Sequence, residues 1–101
     1  MSTLLFTPGA RDDLSEIWDL TEERWNAAQA ETYVLELHAA AERVAEDPAR
    51  GRPADEVRTG YRRYGIGSHL LFYIVREDAV VIVRILHQRM DPTRHLWGTD
   101  A

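Results

Sequence analysis

The chain has 101 residues, 45% of them hydrophobic, with a net charge of −5 and no cysteine. A chain of this length buries roughly two-thirds of its unfolded surface around one core, so a single domain over residues 1–101 is expected, without a disulfide framework or thiolate metal site. No apolar run approaches the roughly 20 residues that span a bilayer, and Met1-Ser2-Thr3-Leu4-Leu5-Phe6 lacks the basic head of a signal peptide; a cytoplasmic protein with no membrane partner is expected.

Thr3 to Phe6 is the first candidate strand. Thr7-Pro8 then opens a helix, since Thr caps well and Pro is preset for the first helical position. Asp12 and Asp13 fall near the first turn, where the helix dipole favours anions. Ala10, Leu14, Ile17, Trp18, Thr21 and Trp25 recur every three or four residues, which predicts one apolar stripe on a helix of about five turns. Asn26 with Gln29 three residues on resembles a capping box and starts a second helix. Its stripe is Ala30, Tyr33, Val34, Leu37, Ala41 and Val44, and Pro48 ends it. Almost no linker separates the two helices, so they fold back on each other as an antiparallel hairpin.

Ala49 to Glu56 is a loop rich in Arg, Gly and Pro. The period then changes, and strands are predicted at Tyr61 to Ile66, Leu70 to Arg76 and Val80 to Leu86, with Glu77-Asp78 as the turn between the last two. The predicted fold is α+β: an antiparallel helical hairpin on a three- or four-stranded antiparallel sheet, in the order strand, helix, helix, strand, strand, strand. Both alternating sets of the last two strands are apolar. Leu71, Tyr73 and Val75 stand against Leu70, Phe72 and Ile74; Val81, Val83 and Ile85 stand against Val80, Ile82 and Leu86. Helices on one face need only one such set. The second set needs cover, either from a partner segment or from the chain's own loop and C-terminal tail.

Charge is uneven. Residues 1–47 carry three Arg against eleven acids, and residues 48–101 carry nine Arg against six acids. Lysine is absent, which favours bidentate and stacking contacts over point charges. The acidic half reads as a solvated helical face, and an acidic protein is a poor default binder of nucleic acid. His38 lies off the second helix's stripe, His69 begins a strand, and His87 and His95 are separated by a Pro break. None has the spacing of a transition-metal site, so no metal and no cofactor is expected. A hydrogen bond between His69 and His87 across adjacent strand ends is the better expectation. Ser2, Ser15 and Ser68 lie outside any nucleophile elbow. Gly65-Ile66-Gly67 precedes no helix and marks a bend. From Arg84 to Leu96 an apolar strand turns polar and basic and then breaks at Asp91-Pro92, a pair able to start a short helix. Trp97 follows, either as a partner anchor or as a residue packed under the hairpin.

The blocks His69-Leu70-Leu71-Phe72-Tyr73 and Arg84-Ile85-Leu86-His87-Gln88-Arg89-Met90-Asp91 resemble the RelE/ParE superfamily of bacterial toxins, and its ParE branch in particular. Ala10, Asp13, Leu14, Ile17, Trp25, Ala30, Tyr33, Pro48, Gly51, Arg52, Tyr61-Arg62 and Gly67-Ser68 extend the resemblance over most of the chain. It implies a helical hairpin on one face of an antiparallel sheet. It also implies the toxin of a type II toxin–antitoxin pair: a non-catalytic poison of DNA gyrase, held in a hetero-oligomer by a ParD-like antitoxin and touching DNA only through that antitoxin.

Target recognition is then expected from Arg84, His87, Arg89, Met90, Arg94 and Trp97, because Trp and Arg are the usual interface anchors. Antitoxin binding is expected on Phe72, Ile74, Val80, Ile82 and Leu86. One alternative is a RelE-like, ribosome-dependent and metal-independent mRNA endoribonuclease. Arg84 would stand where that family carries a transition-state arginine, and His87 would move the proton. The lysines and terminal tyrosine of those enzymes are missing here. The other alternative is an inactive relative that only binds the antitoxin.

Overall fold

The computed structural model describes residues 2–96. Strand β1 (Thr3–Phe6) leads into helix α1 (Pro8–Arg24), which turns directly into α2 (Ala27–Glu46). A 3-10 turn at Pro48–Arg50 precedes β2 (Arg52–Pro53), β3 (Arg62–Ile66), β4 (His69–Arg76), β5 (Ala79–His87) and a short helix α3 (Pro92–Leu96). Local chemistry sets the boundaries. The Thr7 hydroxyl oxygen accepts from Ala10 N at 3.1 Å at the head of α1, and Asn26 Oδ1 accepts from Gln29 N at 2.7 Å at the head of α2. Glu77 and Asp78 form the two-residue turn between β4 and β5, with Arg76 paired to Ala79. Gly67 turns β3 into β4 at φ +57°, and a Cβ there would come within 2.8 Å of the Tyr33 hydroxyl, so backbone and packing both demand glycine.

The α+β class and the helical hairpin are as expected, but the sheet is larger and mixed. Its five strands run in the order β1-β5-β4-β3-β2, and β1 pairs parallel to β5. Alternation within a strand fixes which residues share a face, whereas strand partners come from contacts distant in sequence. That is why β1 beside β5, and the two-residue β2, were not legible.

Packing corrects two further expectations. Trp25 does not lie on the buried stripe of α1: it is 68% exposed. Asp13 does, at 8% exposure, with Ala10 and Ile17. The second apolar set of the sheet is covered from within the chain. Leu71, Tyr73, Val80, Ile82 and Ile85 pack under the helices with Leu37, Ala41 and Val44. On the opposite face Phe72, Val83 and Leu86 pack against Ala54 and Tyr61 of the loop before β3 and Leu96 of α3. The sheet is therefore the middle of three layers.

Candidate functional site

Strand β5 carries the chemistry, and a bulge divides it. Phe72 pairs with Arg84 and Tyr73 with Ile82, so Val83 is an extra residue. Pairing with β1 ends at Ile82, and α1 completes the β5 edge beyond that point. Thr7 N donates to Ile82 O at 3.0 Å, and the Thr7 hydroxyl donates to Val83 O at 2.6 Å. Asp13 Oδ2 accepts from Ile85 N at 2.8 Å. The same carboxylate accepts from Arg84 through Nε at 2.7 Å and Nη2 at 2.8 Å, a two-pronged ion pair. This bonding with Asp13, opposed by partial burial, raises the Arg84 pKa above its ordinary value. Nη1 of Arg84 donates to His95 O at 3.1 Å, and Arg58 Nη1 donates to Leu96 O at 3.2 Å, which ties down the end of α3. Arg84 was expected to meet a target, or a phosphate if the chain were a nuclease. All three of its nitrogens are instead committed within the chain.

Three residues on, at His87, the surroundings are open. A cleft of about 600 Å³ lies between the tip of the helical hairpin and the end of the sheet. Leu20, Thr21, Glu23, Arg24 and Trp25 supply one wall, Gln29 and Tyr33 the second, and Ser68, His69 and His87 the third. His69 and His87 are directly paired across β4 and β5, with ring centroids 5.3 Å apart and edge to face. They are neighbours, as expected, but their hydrogen bonds go elsewhere. His69 Nδ1 meets the Tyr33 hydroxyl at 2.6 Å, and His87 Nδ1 accepts from Arg89 N at 3.1 Å. Burial, and then the adjacent His87, lower the His69 pKa below the ordinary imidazole value, with Asp13 opposing them. Burial likewise raises the Tyr33 pKa, opposed by the Ser68 N–H. His38 is exposed as expected, stacked on Phe6 at 5.7 Å.

Of the other residues expected at a target surface, Arg89 and Arg94 are exposed and Met90 is 43% exposed. Trp97 lies outside the described residues. The residues expected to bind an antitoxin need correction as a free surface. Phe72, Val80 and Ile82 are fully buried and Leu86 is 2% exposed. Ile74 is half-buried against the second cluster. Over the middle of these strands both faces are filled by the chain's own side chains, while Val75 towards the β4–β5 turn is 48% exposed. Sequence reasoning missed Asp13, although its place between Ala10 and Ile17 at helical spacing was a signal. It also took Trp25 and Tyr33 for plain core residues. Among the described residues no group of three or more His, Asp or Glu could hold a metal, and no helix is long and apolar enough to cross a membrane.

A family model described as "ParE toxin of type II toxin-antitoxin system, parDE" matches residues 4–92. Toxin ParE1 of Mycobacterium tuberculosis is 49% identical over 96 residues, covering 94% of this chain and 98% of that protein. The chain belongs to the ParE toxin family. A second ParE relative, Toxin ParE1 of Caulobacter vibrioides, is 46% identical over 87 residues, covering 86% of this chain and 90% of its own. The ParE fold is matched by a solved chain described as "Chromosomal ParDE TA system from P. aeruginosa", with a TM-score of 0.78 and 21% identity over 86% of this chain and 96% of that one.

Proposed function

We propose that this ParE-family toxin acts in the cytoplasm by binding DNA gyrase through protein–protein contact, without catalysis, and that a ParD-like antitoxin neutralises it. The observation that carries the non-catalytic reading is the state of Arg84. A nuclease needs a cation free to meet the phosphorane charge, and this guanidinium is paired two-pronged with Asp13, with its third nitrogen on His95 O. What the end of β5 offers a partner is a cleft with an apolar rim, Leu20 and Trp25, and, in the turn after His87, exposed Arg89 and Met90. An aromatic and arginine-bearing surface of this kind suits a protein partner. We infer that the antitoxin neutralises the toxin by covering this end, since the middle of the sheet is already filled on both faces. Purified protein is expected to inhibit gyrase supercoiling, and added ParD-like antitoxin to relieve that inhibition. Cleavage of ribosome-bound mRNA, with no effect on supercoiling, would replace this reading with the endoribonuclease one.

A further inference from the structure

Three side chains in the cleft, Tyr33, His69 and His87, are hydrogen-bonded from behind. The Ser68 amide donates to the Tyr33 hydroxyl oxygen at 3.2 Å. The other hydrogen-bonding group that this hydroxyl meets, among the described residues, is Nδ1 of His69 at 2.6 Å. A phenol has one proton to give. With that proton on His69 Nδ1, the tautomer adopted for the proposal, a neutral His69 carries its own proton on Nε2. His87 is set the same way by a backbone donor, since Arg89 N–H occupies its Nδ1 at 3.1 Å. Burial and the neighbouring His87 favour the neutral form of His69. Both rings line the cleft, and the donor left to each is Nε2–H.

The walls complete the chemistry. Arg24 brings a cation to the rim, while Leu20 and Trp25 stand 57% and 68% exposed beside it. Donors and a cation at the floor and rim call for an acceptor that carries negative charge. The apolar surface runs beyond the cleft onto Trp25, which suits a macromolecule better than an enclosed metabolite. A nucleic acid fits poorly. Glu23 lines the cleft, and Glu16, Asp19 and Glu22 share the helix that walls it. A phosphodiester chain with one charge per nucleotide meets that repulsion repeatedly, whereas a single carboxylate meets it once and can sit against Arg24.

We propose that the cleft captures an acidic side chain of a partner protein: the carboxylate accepts from the imidazole Nε2–H groups and Arg24, and the segment bearing it lies over Trp25 and Leu20. This builds on the reading of the cleft as a partner surface. Its test involves no gyrase, so the two can fail separately.

The experiment uses the full chain labelled with nitrogen-15, with phenylbutyrate as a probe that joins an apolar stem to a carboxylate. Imidazole spectra of the free protein are expected to show Nε2–H on both His69 and His87. Phenylbutyrate is expected to shift both histidines and the Trp25 indole saturably, and the uncharged phenylbutyramide to bind about tenfold more weakly. His87→Phe keeps a ring but removes the donor, and is expected to weaken the probe about tenfold. Should that variant not fold, Trp25→Ala changes an exposed position and is expected to weaken the probe several-fold. An Nδ1–H proton on either ring overturns the proposal, as does equal binding of acid and amide. A short oligothymidylate that shifts the same signals at lower concentration than phenylbutyrate overturns it too.

Discussion

Arg84 and His87 are three residues apart on one strand, and in the sequence they look like parts of one cationic surface. In the fold they belong to different regions. Around Arg84 each guanidinium nitrogen has a partner inside the chain: Asp13 takes two of them along with the Ile85 amide, and α3 takes the third. Around His87 the backbone satisfies one ring nitrogen, and the rest of the ring faces a cleft with an exposed tryptophan at its rim. Side-chain type did not separate the two regions. Internal pairing did: the Arg84 charge is neutralised by a carboxylate of its own chain, whereas His87 keeps most of its ring open to the cleft.

Breaking the internally paired region has the larger expected effect. Asp13→Ala leaves a partly buried guanidinium and the buried Ile85 amide unpaired. Its loss of stability is on the order of 3 kcal/mol, measured by urea denaturation. A loss below about 0.5 kcal/mol would mean that the clamp is ornamental. Arg84→Lys keeps the charge but cannot make the two-pronged contact, so a smaller loss of about 1–2 kcal/mol is expected from the same measurement. If the lysine variant matched Asp13→Ala, geometry rather than charge would be carrying the pair.

The cleft should respond to pH more gently. The pKa of His69 is lowered in the fold from 6.5. Between the folded and unfolded values the unfolded chain binds more protons, so stability rises with pH. The contribution is fully present above 6.5 and is lost as pH falls from 6.5 towards the folded value. His69→Gln should remove that part of the slope when unfolding free energies are compared between about pH 7 and pH 5. An unchanged slope would place the proton elsewhere. The smallest stability effect is expected from Trp25→Ala, within about 0.5 kcal/mol, because its ring is mostly in water.

Local signals in the sequence reached as far as local physics reaches. Thr7-Pro8 and Asn26 mark the helix starts because capping is decided within a few residues. Glu77-Asp78 and Gly67 mark the turns for the same reason. The strand runs were legible from their composition, and the doubly apolar pair did signal burial on both faces. The cover was expected from a partner segment, whereas Ala54, Tyr61 and Leu96 of the chain itself lie on Phe72 and Leu86. The bulge at Val83 was beyond reach, since it exists only in the register between two strands. So was the Asp13–Arg84 pair, whose members are 71 positions apart. The candidate site was half legible: His69 and His87 were paired correctly as strand-end neighbours, but Trp25 and Tyr33 needed the hairpin tip to be set against the sheet end.

The central claim is that this ParE toxin meets its target through the open region of β5 and not through the internally paired one. Inhibition of gyrase supercoiling by Trp25→Ala protein, with folding confirmed by circular dichroism, tests it most directly. The account predicts an unchanged melting temperature and an inhibitory concentration raised about tenfold or more, as the loss of an aromatic anchor would give. Full-strength inhibition by the folded variant would contradict it.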